Sequence, residues 1–413
     1  MKITTDIDST SRSRLGSVFI TLSFIIFLIP FSFDMGGDGL SGNYSFFLFP
    51  IFIWLLSHKI YSPDQDTTIV IFIYVLIFIV STVYQYQYYQ FADRRLVSFI
   101  IFLSIFLFLS IKIDSNMILC FKLALIFVSI LFSVLTISNF YSLGGNDLGF
   151  SAKGDVGSQR YGFVYIMALW VIFYYNPINK LFQPLKYAAF LIIVVGLMLT
   201  FSRSGIISLL GSFLIYAMNR FANNKVNIKT IASFIILAIA SILGYLIILR
   251  LFPVVFDFFG ERLFSLETSS GASTYNFEDT ESSEGWRLYM MKIIGEFILL
   301  NPFTGSGFLG SWILFDDLSG SAHNQFLDVL FRTGIIGFVI YLWLLYRLLR
   351  FLKLNDPSLF WGFTGVLIYG LFHETFKLSQ GSFILSFMIG MMMQKNLSAS
   401  CHVHHTALND QGS

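Results

Sequence analysis

Charge is what this sequence has least of. Of 413 residues only 12% are Asp, Glu, Lys or Arg, against about 25% in a soluble domain. That shortfall excludes a soluble globular protein. With 56% hydrophobic residues and 49 phenylalanines, the chain reads as a polytopic membrane protein. Charge of one sign is also missing. The 26 basic and 24 acidic residues leave a net charge of +2, which excludes a nucleic-acid partner or an acidic substrate held by bulk electrostatics. Cysteine is nearly absent. Cys120 in an apolar run and Cys401 in a polar tail make no disulfide framework. No internal repeat of about 20–50 residues is present. The first apolar segment is long and lacks a small-x-small exit, which excludes a cleaved signal. The loops expected outside hold no Asp-rich metal motif and no Cys/His ligand spacing. The tail "CHVHH", residues 401–405, is read as disordered rather than as a metal site.

What is there is apolar sequence in blocks. A spanning helix needs about 20 mainly apolar residues. The sequence predicts an all-α protein with about twelve transmembrane helices. They lie near 15–33, 44–57, 68–84, 96–113, 117–137, 161–175, 187–201, 204–219, 230–252, 324–350, 358–373 and 379–394. The sixth to eighth and the last two are short for a full crossing. Polar turns complete them, or neighbouring helices half bury them.

Basic residues set the orientation. With Lys2, Arg12 and Arg14 inside, the inside loops also gather Lys59, Lys112, Lys180, Lys186, Arg220, Lys225, Arg347, Arg350 and Lys395. An even number of spans then leaves both termini cytoplasmic. The organisation is helices 1–9 over residues 1–252, an outer loop over 253–323, helices 10–12 over 324–394 and a cytoplasmic tail over 395–413. The outer loop is the one long non-apolar stretch, and long loops are usually functional. Residues 267–285 are acidic and Ser/Thr-rich, whereas 286–300 read as an amphipathic helix. Trp286, Met290, Ile293, Ile294 and Phe297 share one side of it, a face suited to the membrane surface. A Gly-rich turn over 305–310 follows Pro302.

Three stretches near the outer surface carry chemistry: "TFSRSGIIS" (200–208), "EGWRLYM" (284–290) and "SAHNQFLDVLFRTGIIGF" (321–338). Arg203 stands between two apolar runs, a costly place for a lone guanidinium, about 2.5–3.5 kcal/mol at a helix centre. Ser202, Ser204 and Gly205 around it suit a turn that begins a helix. A helix N-terminus beside a guanidinium makes an anion site; the bland alternative is an arginine reaching for the interface. Arg287 is a weaker signal, and Arg160 in "GSQRYGF" flanks a span with a ligand contact as the minor reading. His323 stands at the start of a long apolar run beside Asn324, which can cap the helix or orient a substrate hydroxyl. His373, followed by Glu374, is its rival. Asp328 and Arg332 stand at the spacing of an acid–base pair one turn apart. Two arginines and a neutral imidazole suit transfer of a group away from a phosphate or pyrophosphate. The arginines hold the departing anion. The imidazole, with an ordinary pKa of about 6.5, takes a proton from the attacking hydroxyl.

"TFSRSGIISLL", "WRLYMMKIIGEFILLNPFTGSGFLG" and "SAHNQFLDVLFRTGIIGFVIY", in that order, resemble the O-antigen polymerase and O-antigen ligase superfamily of bacterial envelopes. The likeness covers roughly residues 195–350. It implies a glycosyltransferase of the inner membrane, with the helical GT-C-like architecture of lipid-sugar transferases. It also implies inversion at the anomeric centre, no cofactor and no metal. The donor would be an undecaprenyl-pyrophosphate-linked oligosaccharide met at the periplasmic face, and a separate protein would regulate chain length. On the matching positions, Arg203 and Arg287 hold the pyrophosphate and His323 is the general base. Asn324, Arg160 and Ser202 are further substrate contacts. The polymerases use another lipid-linked repeat unit as acceptor, the ligases the sugar core of lipid A. The short "NPFTGSGFLG" turn resembles the polymerases more. A flippase of the same lipid-linked sugars is the alternative of another class. It is disfavoured because few charges lie within spans and the candidate set clusters at one face.

Overall fold

A computed structural model describes residues 6–29, 65–89, 113–142, 162–176, 182–200, 202–222, 283–315, 323–377 and 379–394. All regular structure among them is helical. We number the α-helices α1 (Asp6–Leu28), α2 (Gln65–Tyr86), α3 (Ser115–Ser142), α4 (Gly162–Tyr174), α5 (Gln183–Leu199), α6 (Arg203–Ala222), α7 (Ser283–Leu300), α8 (Trp312–Phe315), α9 (Gln325–Asn355), α10 (Pro357–Tyr369) and α11 (Ser379–Met393). Among the described residues α2, α3, α6 and α9 are long and apolar enough to cross a membrane, and parts of α1, α4, α5, α10 and α11 form shorter apolar helices. Nine of the expected stretches fall on these helices. Those near 44–57 and 230–252, all but Ile113 of 96–113, and the tail from 395 lie outside the described residues.

The chain forms two compact units. One comprises Met1–Leu125, Thr280–Phe360 and Gly370–Ser413; the other comprises Ile126–Asp279 and Trp361–Tyr369.

In the first unit α1, α3 and α11 meet through phenylalanines. Phe121 stacks on Phe387 at 4.3 Å, and Phe24 meets both edge-on at 5.9 and 5.5 Å. Polar groups fix one end of this bundle. Lys122 Nζ pairs with Asp356 Oδ2 at 2.6 Å, while Asp356 Oδ1 accepts from Leu359 N and Ser358 Oγ at the start of α10.

The same unit holds a broken helix and the wedge that fills the break. Within α9, Gly334 has φ 63° and ψ −173°, a region essentially confined to glycine. Ile335 N therefore turns away from Phe331 O and donates to Pro302 O at 2.8 Å. Phe331 O in turn accepts from Ser306 N at 3.0 Å. The Gly-rich turn thus satisfies the backbone groups that the break releases, as buried backbone requires. Gly305 must be glycine for a different reason: a Cβ there would collide with the Arg332 backbone. Arg332 clamps the wedge. Its Nε donates to Asp328 Oδ2 at 2.8 Å and its Nη1 reaches the carbonyls of Gly307 and Phe308 at 3.2 and 3.3 Å. Thr82 on α2 takes the other side, accepting from Phe308 N at 2.8 Å. The expected Asp328–Arg332 pair is present, but buried.

The amphipathic helix forms as α7, and its apolar face covers protein. Met290, Ile294 and Phe297 are buried with Leu309, Ile313 and Phe331, and the Phe297 and Phe331 rings lie 4.6 Å apart. This side was expected to rest on the membrane surface. The wedge and α9 give it a closer-packed partner, and burying such side chains contributes roughly 1.5–3 kcal/mol each.

In the second unit α4 is buried on every side from Gly162 to Ile172, as a helix apolar all round must be. Trp170 anchors it, stacked on Phe213 at 4.3 Å and on Trp361 at 5.8 Å. Its indole N–H donates to Ser212 Oγ at 3.0 Å, which satisfies the one polar atom such a ring brings inside.

Candidate active site

The start of α9 is fixed from two directions. Asn324 is its N-cap: Oδ1 accepts from Phe326 N at 2.9 Å and Leu327 N at 3.0 Å, covering two of the amides every helix leaves unsatisfied. The same side chain donates through Nδ2 to Leu371 O at 3.0 Å. Gln325 repeats the arrangement, with its N donating to Gly370 O at 2.7 Å and its Oε1 accepting from Phe376 N at 2.8 Å. The first turn of α9 is thereby tied to the segment after α10.

In front of this cap stands His323 at φ 50°, the one non-glycine residue with positive φ among the described residues. A side chain with a Cβ in that region costs roughly 1–2 kcal/mol, although histidine tolerates it better than most. The Asn324 cap begins on one side of the histidine and holds the backbone where it is. His323 itself is half-exposed. The rival histidine, His373, lies in the segment against which the cap docks, next to the buried Glu374.

The start of α6 is built by serines. Ser202 Oγ accepts from Gly205 N at 3.1 Å and shares a hydrogen bond with Ser204 Oγ at 2.9 Å. The Ser202 carbonyl accepts from Ile206 N at 3.1 Å. Tyr369 adds hydrogen bonds to both hydroxyls. With 1% of its surface exposed, Ser202 holds the helix start. Arg203 is the first residue of α6 and is half-buried. A guanidinium beside the amides of a 20-residue helix favours an anion.

Arg287 lies in the second turn of α7, and α7 packs on α9 through Phe297 and Phe331. The first unit thus contains His323, Asn324 and the helix that bears Arg287; the second contains Ser202 and Arg203. Arg160 lies outside the described residues. Neither the break at Gly334 nor the docking of the cap on Gly370 and Leu371 has a mark in the sequence. The partner groups are backbone carbonyls some 30–50 positions away.

A family model described as O-antigen ligase matches residues 188–342. Over that segment, a little over a third of the chain, the protein is similar to the O-antigen polymerase/ligase superfamily. The matched segment begins inside α5 and ends inside α9. Arg203, Arg287, His323, Asn324 and the break at Gly334 all fall within it; Arg160 precedes it. No curated protein matches the chain. Members of that superfamily are glycosyltransferase-like enzymes, and this chain is a membrane protein with apolar helices.

Proposed function

We propose that this protein is an O-antigen, or related surface-polysaccharide, polymerase of the bacterial inner membrane. It moves a growing glycan from undecaprenyl pyrophosphate to the non-reducing end of another lipid-linked repeat unit at the periplasmic face. The observation that carries this reading is His323, held at φ 50° in front of its cap and inside the matched segment. Strain kept at one residue marks a functional position.

In the reaction, the acceptor hydroxyl attacks the anomeric carbon from the face opposite the pyrophosphate. The glycosidic C–O bond forms as the C–O bond to phosphate breaks, inverting the centre. His323 takes the hydroxyl proton. Undecaprenyl pyrophosphate leaves with the bonding pair, and Arg203 and Arg287 hold its charge as it develops. Asn324 fixes the position of His323 and, with one hydrogen bond from its Nδ2 among the described residues, offers the other amide N–H to a sugar hydroxyl. A chain-length regulator is the expected protein partner.

The family description favours a second reading, the ligase, in which the acceptor is the lipid A core. Lipopolysaccharide from a deletion strain, separated on a gel, decides between them. The polymerase reading expects single repeat units in place of ladders; a bare core with polymer stranded on the carrier lipid establishes the ligase. Complementation with His323→Ala should behave as the deletion does while the protein remains abundant in the membrane. Normal ladders from that variant would remove His323 from the mechanism.

A further inference from the structure

The first unit has a recess separate from the start of α9. It lies between the end of α2 and the exposed flank of α7, is open to one side, and has a volume of about 450 Å³. That is within the roughly 300–1,000 Å³ of small-molecule sites. One wall is aromatic: Tyr84, Tyr88 and Tyr89, from the last turn of α2 and the turn beyond it. The opposite wall presents Glu296 and Asn301. Gln85, beside the tyrosines on α2, also lines the recess; it is 3% exposed, and its Nε2 has no hydrogen-bond partner among the described residues.

The chemistry of these walls is selective. Among the described residues no lysine or arginine lines the recess, and the Glu296 carboxylate there disfavours a phosphate or pyrophosphate. Tyr84 and Tyr88 are 43% and 65% exposed, with their rings edge to face at 6.0 Å. Ring faces left bare carry the negative side of the aromatic quadrupole, which attracts the polarised C–H face of a pyranose. Around them stand a carboxylate, two amides and phenolic hydroxyls, a mixture of donors and acceptors that matches sugar hydroxyls. A buried amide nitrogen without a partner is costly within a protein, and a ligand hydroxyl in the recess would supply one. An interfacial belt of tyrosines accounts for the rings but not for the carboxylate and amides opposite them.

The recess and the helix that follows the candidate base share a packed cluster. Tyr89 and Leu327 pack on the same buried cluster of Met290, Ile294, Phe297, Leu309, Ile313 and Phe331, and Leu327 is four positions after His323. The donor glycan has its pyrophosphate as a handle. The acceptor is lipid-linked too, but its reacting sugar stands at the non-reducing end, away from the pyrophosphate, and offers only ring faces and hydroxyls.

We infer that the recess between Tyr84, Tyr88 and Tyr89 on one wall and Glu296 and Asn301 on the other binds an uncharged pyranose of the glycan acceptor. This assignment rests on the transferase reading above. The test uses the full-length protein in lipid nanodiscs. The probe is the free oligosaccharide released by mild acid from the cell's own lipid-linked repeat units, with no lipid or phosphate attached. Its binding, read by saturation-transfer NMR, should weaken about tenfold in Tyr88→Ala and in Glu296→Gln. Tyr88 is exposed, so its truncation removes little packing, and Glu296→Gln preserves shape. In transfer assays both variants should raise the KM for acceptor and leave kcat and the KM for donor unchanged. His323→Ala should bind the oligosaccharide like the wild type and transfer nothing. Absence of binding to the wild type, or equal binding by all variants, would overturn the assignment and leave only an interfacial belt. A rise in donor KM would overturn the acceptor role. Transfer by His323→Ala would instead remove the proposed base and leave the recess standing.

Discussion

Arg332 donates through Nε to Asp328 Oδ2 at 2.8 Å, one turn away on α9, and both side chains are almost wholly buried. Nη1 of the same guanidinium reaches the carbonyls of Gly307 and Phe308 in the Gly-rich turn, so one ion pair joins a helix to the wedge that fills its break. Removing one partner of a buried pair leaves an uncompensated charge, at about 3–5 kcal/mol. Arg332→Met should therefore lower the thermal midpoint in detergent sharply, as followed by fluorescence-detected size exclusion. Adding Asp328→Leu should recover part of the loss but not all, because the clamp on Gly307 and Phe308 is still missing. A double variant no better than the single would show that the carboxylate is not what the arginine neutralises.

Gly334 and Gly295 make opposing cases. At Gly334, φ 63° and ψ −173° exclude other residues, and a Cβ would fall 2.8 Å from backbone atoms of Phe303 and Pro302. Gly334→Ala should cost at least the 1–3 kcal/mol of such strain and reduce folded yield. Gly295 lies inside α7 with nothing within 4 Å of a Cβ. Gly295→Ala should stabilise by up to about 1 kcal/mol through helix propensity, visible as a higher midpoint.

His323 offers a separation of stability from activity. Because its φ is 50°, His323→Gly should relieve roughly 1–2 kcal/mol of backbone strain and raise the thermal midpoint above that of His323→Ala. Neither variant should extend glycans on a lipopolysaccharide gel. Equal midpoints for the two would mean that the backbone is not strained there.

Much of this was legible from the residues. The apolar blocks forecast the described helices because a lipid environment demands long runs that loops do not have. Ser202 and Asn324 forecast helix starts because their side chains satisfy amides close by in the chain. The apolar side of α7 was legible in its spacing, but its partner was not. Spacing shows which residues leave water and is silent on whether protein or lipid receives them. The break at Gly334 escaped for a related reason: "TGIIG" reads as ordinary helix until Pro302 and Ser306 are brought against it. The sugar recess is hidden in the same way, since its two walls lie some 200 positions apart.

Asn324→Ala should cost about 1 kcal/mol as a lost cap and also loosen His323, so chain extension should fall by more than stability does. Asn324→Asp keeps both acceptor bonds and loses the donor to Leu371. It should therefore preserve the midpoint better than alanine. If the two substitutions reduce the midpoint equally, the bond to Leu371, and not the cap, holds the helix start.

Arg203→Lys should shorten or abolish ladders with little change in protein level, because a planar two-pronged donor is exchanged for a point charge. Ladders of normal length with lysine would mean that positive charge alone suffices at the head of α6.

The wedge has an implication for how this architecture tolerates variation in chain length. From Leu300 to Phe308 every stage is pinned: to the gap in α9 by Pro302 and Ser306, then to α2 by Phe308. There is no slack there to take up inserted residues. Length changes that leave the register of the splice intact must fall outside residues 300–308.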